Sequence, residues 1–226
     1  MIELKNISKV YPPNVYALKN INLEIKAGEF VSIVGQSGTG KTTLTKLIIA
    51  EEKPSEGQII VGGWDITYIK KNEIPYFRRQ IGVVFQDFKL LKKKTAFENV
   101  AFAMEVCGIN NKKINSTVVK ALKLVGLEKS ADRYPHQLSG GEQQRIVIAR
   151  SLVHKPKLIV ADEPTGNLDS LNTREIIDLL LKINKMGTTV VLVTHNREVV
   201  NSLNKRVITI DQGVIISDQN KGKYIL

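Results

Sequence analysis

Gly35-Gln36-Ser37-Gly38-Thr39-Gly40-Lys41-Thr42 follows directly on the short apolar run Phe30-Val31-Ser32-Ile33-Val34 and leads into residues 41–50, where Leu44, Leu47 and Ile48 recur at helical spacing. The order is strand, glycine-rich loop, helix, and the loop fits G-x-x-x-x-G-K-[ST], a phosphate cradle. In that context successive backbone N–H groups and a helix N-terminus converge on one anion. Glycines at 35, 38 and 40 remove the Cβ atoms that would keep the backbone from closing on phosphate. Lys41 would neutralise the β- and γ-phosphates and the Thr42 hydroxyl would ligate Mg²⁺. The expected nucleotide-binding set is Gly35, Gln36, Ser37, Gly38, Thr39, Gly40, Lys41, Thr42 and Thr43.

A second stretch supplies the acids. Leu158-Ile159-Val160-Ala161 is apolar and ends in Asp162 and Glu163. A buried strand of this kind leaves its carboxylates at the C-terminal end, where α/β sheets place ligands. Asp162 is expected to hold Mg²⁺ and Glu163 to act as the general base on an attacking water.

Outside these stretches the chain reads as one continuous domain. With 226 residues it has room for one sizeable core, or a core with a smaller subdomain. Hydrophobic residues at 42% and charged residues at 24% are ordinary for a soluble globular fold and exclude disordered or fibrous classes. No stretch approaches 18 consecutive apolar residues and the start, MIELKNISKV, lacks the apolar core of a signal peptide, so a cytoplasmic chain is expected. The single cysteine, Cys107, rules out an internal disulfide framework. A net charge of +11 suits an anionic membrane face or nucleic acid, and charge alone does not choose between them.

Strand signals at 2–4, 21–25 and 59–61 precede the loop's strand and follow its helix; others return at 158–161, 190–193 and 207–210. Between 95 and 125 the pattern is helical, and helices recur at 174–184 and 197–203. Strands alternating with helices argue for a parallel sheet covered on both faces.

The most specific string lies between the two chemical motifs: Leu138-Ser139-Gly140-Gly141-Glu142-Gln143-Gln144-Arg145. Physically it is another anion site, a hydroxyl and glycine N–H groups opening a helix. It resembles the signature motif of ATP-binding-cassette ATPases, and the resemblance runs over essentially the whole chain. The resemblance implies a P-loop α/β fold with a RecA-like parallel-sheet core, an N-terminal antiparallel β subdomain and an inserted helical subdomain. Residues 1–86 and 157–226 would form the nucleotide-binding core with its β subdomain, and 87–156 the helical signature subdomain. It further implies ATP and Mg²⁺ as cofactors and a head-to-tail homodimer closed by ATP. In that dimer Ser139, Gly140, Gly141 and Glu142 of one subunit meet the ATP held by the other.

Other positions match the family one by one. Tyr11 stands where an aromatic stacks on adenine, and Gln86, after the apolar run 81–85, where a glutamine contacts Mg²⁺ or water. Asp169 in Gly166-Asn167-Leu168-Asp169 resembles the loop that crosses the dimer interface; His195 resembles the switch histidine at the γ-phosphate. Asp65-Ile66-Thr67 and Pro75-Tyr76-Phe77-Arg78-Arg79-Gln80-Ile81-Gly82 narrow the resemblance to the cell-division branch of the family. That branch implies an integral membrane partner subunit, a place on the cytoplasmic face of the membrane and no nucleic acid. Lipoprotein or macrolide exporters are the neighbouring alternative. DNA-repair and chromosome ATPases share the signature but carry a long coiled-coil or zinc-bearing insertion. Two positions depart from the common pattern: Ala50, where relatives carry Gly, and Asn196, where an acid is common.

Overall fold

The computed structural model describes residues 1–224. Strands β1 (Ile2–Tyr11) and β2 (Val15–Ile25) form a hairpin, and β1 pairs on its other side with β4 (Glu56–Val61), which in turn pairs with the two-residue β5 (Trp64–Asp65). All these pairings are antiparallel. The first two strands extend well beyond the stretches 2–4 and 21–25 that mark them in the sequence. Register shifts after Leu4, together with a left-handed Asn6 (φ 52), break the alternation a sequence pattern relies on.

The second sheet carries the chemistry. Its order is β10 (Val214–Gln219), β9 (Arg206–Asp211), β3 (Phe30–Val34), β8 (Thr189–Val193), β7 (Leu158–Asp162), β6 (Ile81–Phe85). From β9 to β6 every pairing is parallel, and β10 closes one edge antiparallel to β9. Strands β3 and β8 are buried along their whole length, consistent with a sheet covered on both faces. The loops leaving β3, β6, β7 and β8 emerge at one end of that sheet, where open parallel sheets bind ligands.

Helix α1 (Lys41–Ile48) ends two residues earlier than the spacing predicts. Ala50 is left-handed (φ 53), Glu51 N–H donates to Lys46 O at 2.8 Å, and Ala50 N–H donates to Leu47 O at 3.1 Å. This is the six-residue C-terminal closure whose left-handed residue is most often glycine. Arg78, at the end of α2 (Ile74–Arg78), donates to Ile49 O and Ala50 O, both at 3.1 Å.

Between β6 and β7 the longer elements are helices: α3 (Ala96–Glu105), α4 (Asn111–Leu124) and α5 (Gly140–Leu152). Their apolar faces are continuous with one side of the parallel sheet, through Val84, Ile159, Ala161, Val190 and Leu192. Helices α6 (Ser170–Lys185) and α7 (Arg197–Leu203) cover the same side, while α1 lies over the other, between the two sheets. Among the described residues no helix is long and apolar enough to cross a membrane.

A candidate nucleotide-hydrolysis site

At the end of β3 the chain turns through Gly35, whose φ is 156; a Cβ there would lie 2.2 Å from Ile210 O, so no larger residue fits. The helix that follows has Gly40 as its N-cap, no side-chain cap and no acid in its first turn. Its leading N–H groups are therefore left for an anion. Lys41 is nearly buried, at 7% exposure, and its Nζ folds back to donate to Gly35 O (2.7 Å) and Gln36 O (2.6 Å). Burial pushes its pKa down, opposed by the nearby carboxylates of Glu163 and Asp162. An ammonium held on two carbonyls beside the loop is a cation that can bond an anion more strongly than it bonds neutral carbonyls.

The acids come from the neighbouring strand. Asp162 ends β7, and burial together with the Glu163 charge pushes its pKa up to about 6, against the pull of Lys41. Glu163 sits just past the strand in the left-handed region (φ 48), a conformation costly for a residue with a Cβ and common at functional sites. Its N–H donates to Val193 O at 2.8 Å, which ties it to β8. On the carboxylate, Thr194 Oγ1 donates to Oε2 at 3.2 Å and His195 Nδ1 donates to Oε1 at 2.7 Å. The His195 bond leaves Nε2 as the ring's remaining polar atom, and the two donors fix the direction of a base.

Gln86 follows β6, with Nε2 donating to Asn167 Oδ1 at 3.1 Å. One cleft of about 770 Å³ is lined by Gln36, Ser37, Gly38, Gly40, Lys41, Thr42, Thr43, Gln86, Asp162, Glu163 and His195, with Ala17 and Tyr224 at its margin. Four loops from four strands thus bring the expected phosphate and catalytic groups to one place. Thr42, Gln86 and Asp162 also share a smaller recess off this cleft. They offer a hydroxyl, an amide oxygen and a carboxylate, hard oxygen donors that suit Mg²⁺ completed by phosphate oxygens.

The signature residues lie elsewhere. Ser139 caps α5: its Oγ accepts from Glu142 N–H at 3.2 Å, and Glu142 Oε2 accepts from Ser139 N–H at 2.8 Å. Within one chain that reciprocal pair satisfies both residues, and none of Ser139, Gly140, Gly141 and Glu142 lines the cleft that holds Lys41. Asp169 likewise caps α6, with Oδ1 accepting from Asn172 N–H at 2.8 Å, and the Asn172 bonds hold its carboxyl below the usual range. These two helix starts adjoin: a Cβ on Gly141 would meet Asn172 Oδ1 at 1.8 Å.

Comparisons with known proteins place the chain in a family. The ABC transporter family model matches residues 18–166. The chain belongs to that family. The cassette is 54% identical to the "Cell division ATP-binding protein FtsE" of Bacillus subtilis over 224 residues, covering 99% of this chain and 98% of that protein. It is 45% identical over 222 residues to "Methionine import ATP-binding protein MetN 1" of Burkholderia lata, 96% of this chain and 64% of that protein. Among solved structures, a dimeric ATP-binding cassette in a post-hydrolysis state bound to ADP and Pi is 39% identical with a TM-score of 0.88, covering 99% of this chain and all of that one (100%). The cassette fold expected from the resemblance is present, with its antiparallel β sheet and parallel core. This cassette is an ATPase.

Two expected positions look different in three dimensions from in the sequence. Tyr11 is not part of the cleft lining; it lies at the end of β1 with its hydroxyl donating to Glu52 Oε2 at 2.7 Å. Asn196 caps α7, accepting from Val199 N–H at 3.1 Å, a role an acid would also fill. Sequence reasoning missed Thr194, Asn167 and Gln144. Gln144 is fully buried and donates to Phe85 O at 3.2 Å, so α5 is pinned to the strand that presents Gln86. No local pattern singles out these residues, because their roles come from strands far apart in sequence.

Proposed function

We propose that this cassette binds MgATP between its P-loop and the signature helix of a second copy, and uses hydrolysis to drive an integral membrane partner in cell division. The observation that carries the shared-site reading is the separation of Ser139–Glu142 from the cleft that holds Lys41, together with the likeness to a cassette solved as a dimer. In this reading the anion-binding groups that lie outside the cleft serve the nucleotide of a second molecule.

In this reading Lys41 and the N-terminus of α1 bind the β- and γ-phosphates. Thr42, Asp162 and Gln86 would hold Mg²⁺, which when bound would supply positive charge against the phosphate oxygens. Glu163 accepts a proton from the water whose oxygen attacks the γ-phosphorus. The bond to the β-phosphate oxygen breaks, and ADP and phosphate are the products. His195 holds the carboxylate in register. The γ-phosphate state then reaches the helical region through Gln86 and α5, because Gln144 grips Phe85 O and Arg150 donates to Lys89 O (2.9 Å) and Phe88 O (3.2 Å). A groove lined by Phe88, Leu90, Lys92 and Pro135 beside that loop suits a cytoplasmic helix of an FtsX-like membrane subunit. Through that subunit the stroke would control cell-wall hydrolysis, and the cassette would sit on the cytoplasmic membrane face. Identity of 54% to the cell-division protein, against 45% to the import protein, favours this branch.

Two measurements test the proposal. Glu163→Gln is expected to lower turnover by roughly 10²- to 10⁴-fold while MgATP still binds and a dimer accumulates; full hydrolysis by this variant would refute the base assignment. Co-purification from membranes should recover a four-span protein with a large extracytoplasmic loop. Recovery of an exporter or importer permease in its place would overturn the cell-division reading.

A further inference from the structure

The chain leaving α1 turns back along the helix, and Glu51 and Glu52 N–H groups both donate to Lys46 O (2.8 and 3.3 Å). It then clamps the far end of β1: Val10 N–H donates to Ser55 Oγ at 3.0 Å and Ser55 N–H donates to Ser8 O at 2.9 Å. Glu52 is the polar hub of this junction. Tyr11 Oη donates to its Oε2 at 2.7 Å, Lys9 Nζ reaches the same oxygen at 3.0 Å, and Lys46 Nζ lies 3.6 Å from Oε1.

Lys9 does more than neutralise. Its Nζ donates to Lys53 O at 2.8 Å and stands 5.0 Å from the centroid of the Tyr11 ring, within cation–π range. Thr43, in the first turn of α1, lies beside the Tyr11 hydroxyl. Burial pushes the Glu52 carboxyl up, but the bonds from Tyr11 and Lys9 outweigh it and hold the group below its usual range. A surface ion pair of ordinary worth needs none of this provision. Here one carboxylate gathers a phenol and two ammonium groups, and the phenol belongs to the residue expected to carry the adenine.

The geometry points to Glu52 as a positioning residue for nucleotide binding: it tethers the Tyr11 ring to α1, so that base platform and phosphate cradle are held by one rigid element. This rests on the reading of Tyr11 as the adenine platform. The physical advantage is pre-organisation. A ring already fixed by its hydroxyl loses little freedom when adenine stacks on it, and a fixed spacing lets base and phosphates engage together.

The test separates base from phosphate. Affinities for MgADP and for inorganic tripolyphosphate are measured by calorimetry on the full chain, with KM and kcat for ATP alongside. Glu52→Ala should weaken MgADP about tenfold and raise KM for ATP, while tripolyphosphate affinity and kcat at saturation hold. Tyr11→Phe should lose as much, and the double variant Glu52→Ala/Tyr11→Phe no more than either single one. Glu52→Gln keeps an acceptor for the phenol and should recover most of the affinity. Unchanged MgADP affinity in Glu52→Ala, equal loss for tripolyphosphate, or additive losses in the double variant would each overturn the inference. Tyr11→Ala distinguishes the two levels. If it binds MgADP normally, the platform reading fails and the tether with it; if it binds weakly while Glu52→Ala is normal, only the tether fails. Should Glu52→Ala not fold, Glu52→Gln and Tyr11→Phe carry the comparison.

Discussion

Replacing Asp162 by Asn should make the nucleotide-free cassette more stable while removing a proposed Mg²⁺ ligand, and the gain should depend on pH. Asp162 ends a buried strand, and burial and the adjacent Glu163 raise its pKa from 3.8 to about 6 even with Lys41 attracting it. The folded state therefore binds more protons than the unfolded state between those values, and stability falls as pH rises through that window. Below about pH 3 the side chain is mostly neutral in both states and the cost nearly vanishes; above about pH 7 it is fully present. The displacement corresponds to about 3 kcal/mol at pH 7.5 and less than about 1 kcal/mol at pH 4. A carboxamide at this position has no charge to desolvate, so Asp162→Asn should exceed the parent protein by those amounts. Urea unfolding of both proteins with EDTA and without nucleotide, at pH 4 and pH 7.5, measures it; groups remote from Asp162 cancel between variant and parent at each pH, while Glu163 and Lys41, which feel its charge, enter as part of the measured gap. A gap that is absent at pH 7.5, or equal at both values, would refute the argument that burial of this charge governs its pKa. ATPase activity of Asp162→Asn should fall at every pH.

Lys41→Ala should lose nucleotide affinity itself if the ammonium that donates to Gly35 O and Gln36 O is, as proposed, the cation that meets the phosphates; normal MgATP binding in a titration would contradict the cradle. A Ser139 variant and a Lys41 variant, each inactive alone, should regain part of the activity when mixed, as expected of a site shared between copies, and no recovery at any ratio would count against it. Gly141→Ala should destabilise the junction of α5 and α6 by roughly 1–3 kcal/mol, since the new methyl meets Asn172 Oδ1 at 1.8 Å. In the Asn172→Ala background, which lacks the Oδ1 and Cγ that the methyl meets, Gly141→Ala should lower the melting temperature by less than it does in the parent; an equal loss in both backgrounds would mean that the clash is not the cause.

Much of the architecture was legible because it rests on local rules. The run at 30–34 is buried throughout as β3, α7 spans Arg197–Leu203 as its spacing predicts, and the strands ending near 161, 193 and 210 extend by only a residue or so. Where local rules fail, the sequence reading fails with them. Strand β10, Val214–Gln219, is a half-exposed edge strand with polar residues at its end, so its pairing with β9 leaves little apolar signal. Helix α2 is a five-residue helix opened by Pro75, too short to show a period.

The same division runs through the site. Glycine, lysine and hydroxyl spacing specifies a phosphate cradle because consecutive backbone N–H groups form it, and that information is local. Apolar residues followed by two acids specify a strand with carboxylates at its end for the same reason. Which carboxylate receives the histidine, which glutamine pins α5 to β6, and how Glu52 reaches Tyr11 depend on contacts between elements tens of residues apart, from 31 between Thr194 and Glu163 to 59 between Gln144 and Phe85. By itself the sequence determined the chemistry of the loop around Lys41. Only the tertiary structure decided that the signature serine lies outside the cleft of that loop, because α5 packs on one side of the parallel sheet and α1 on the other.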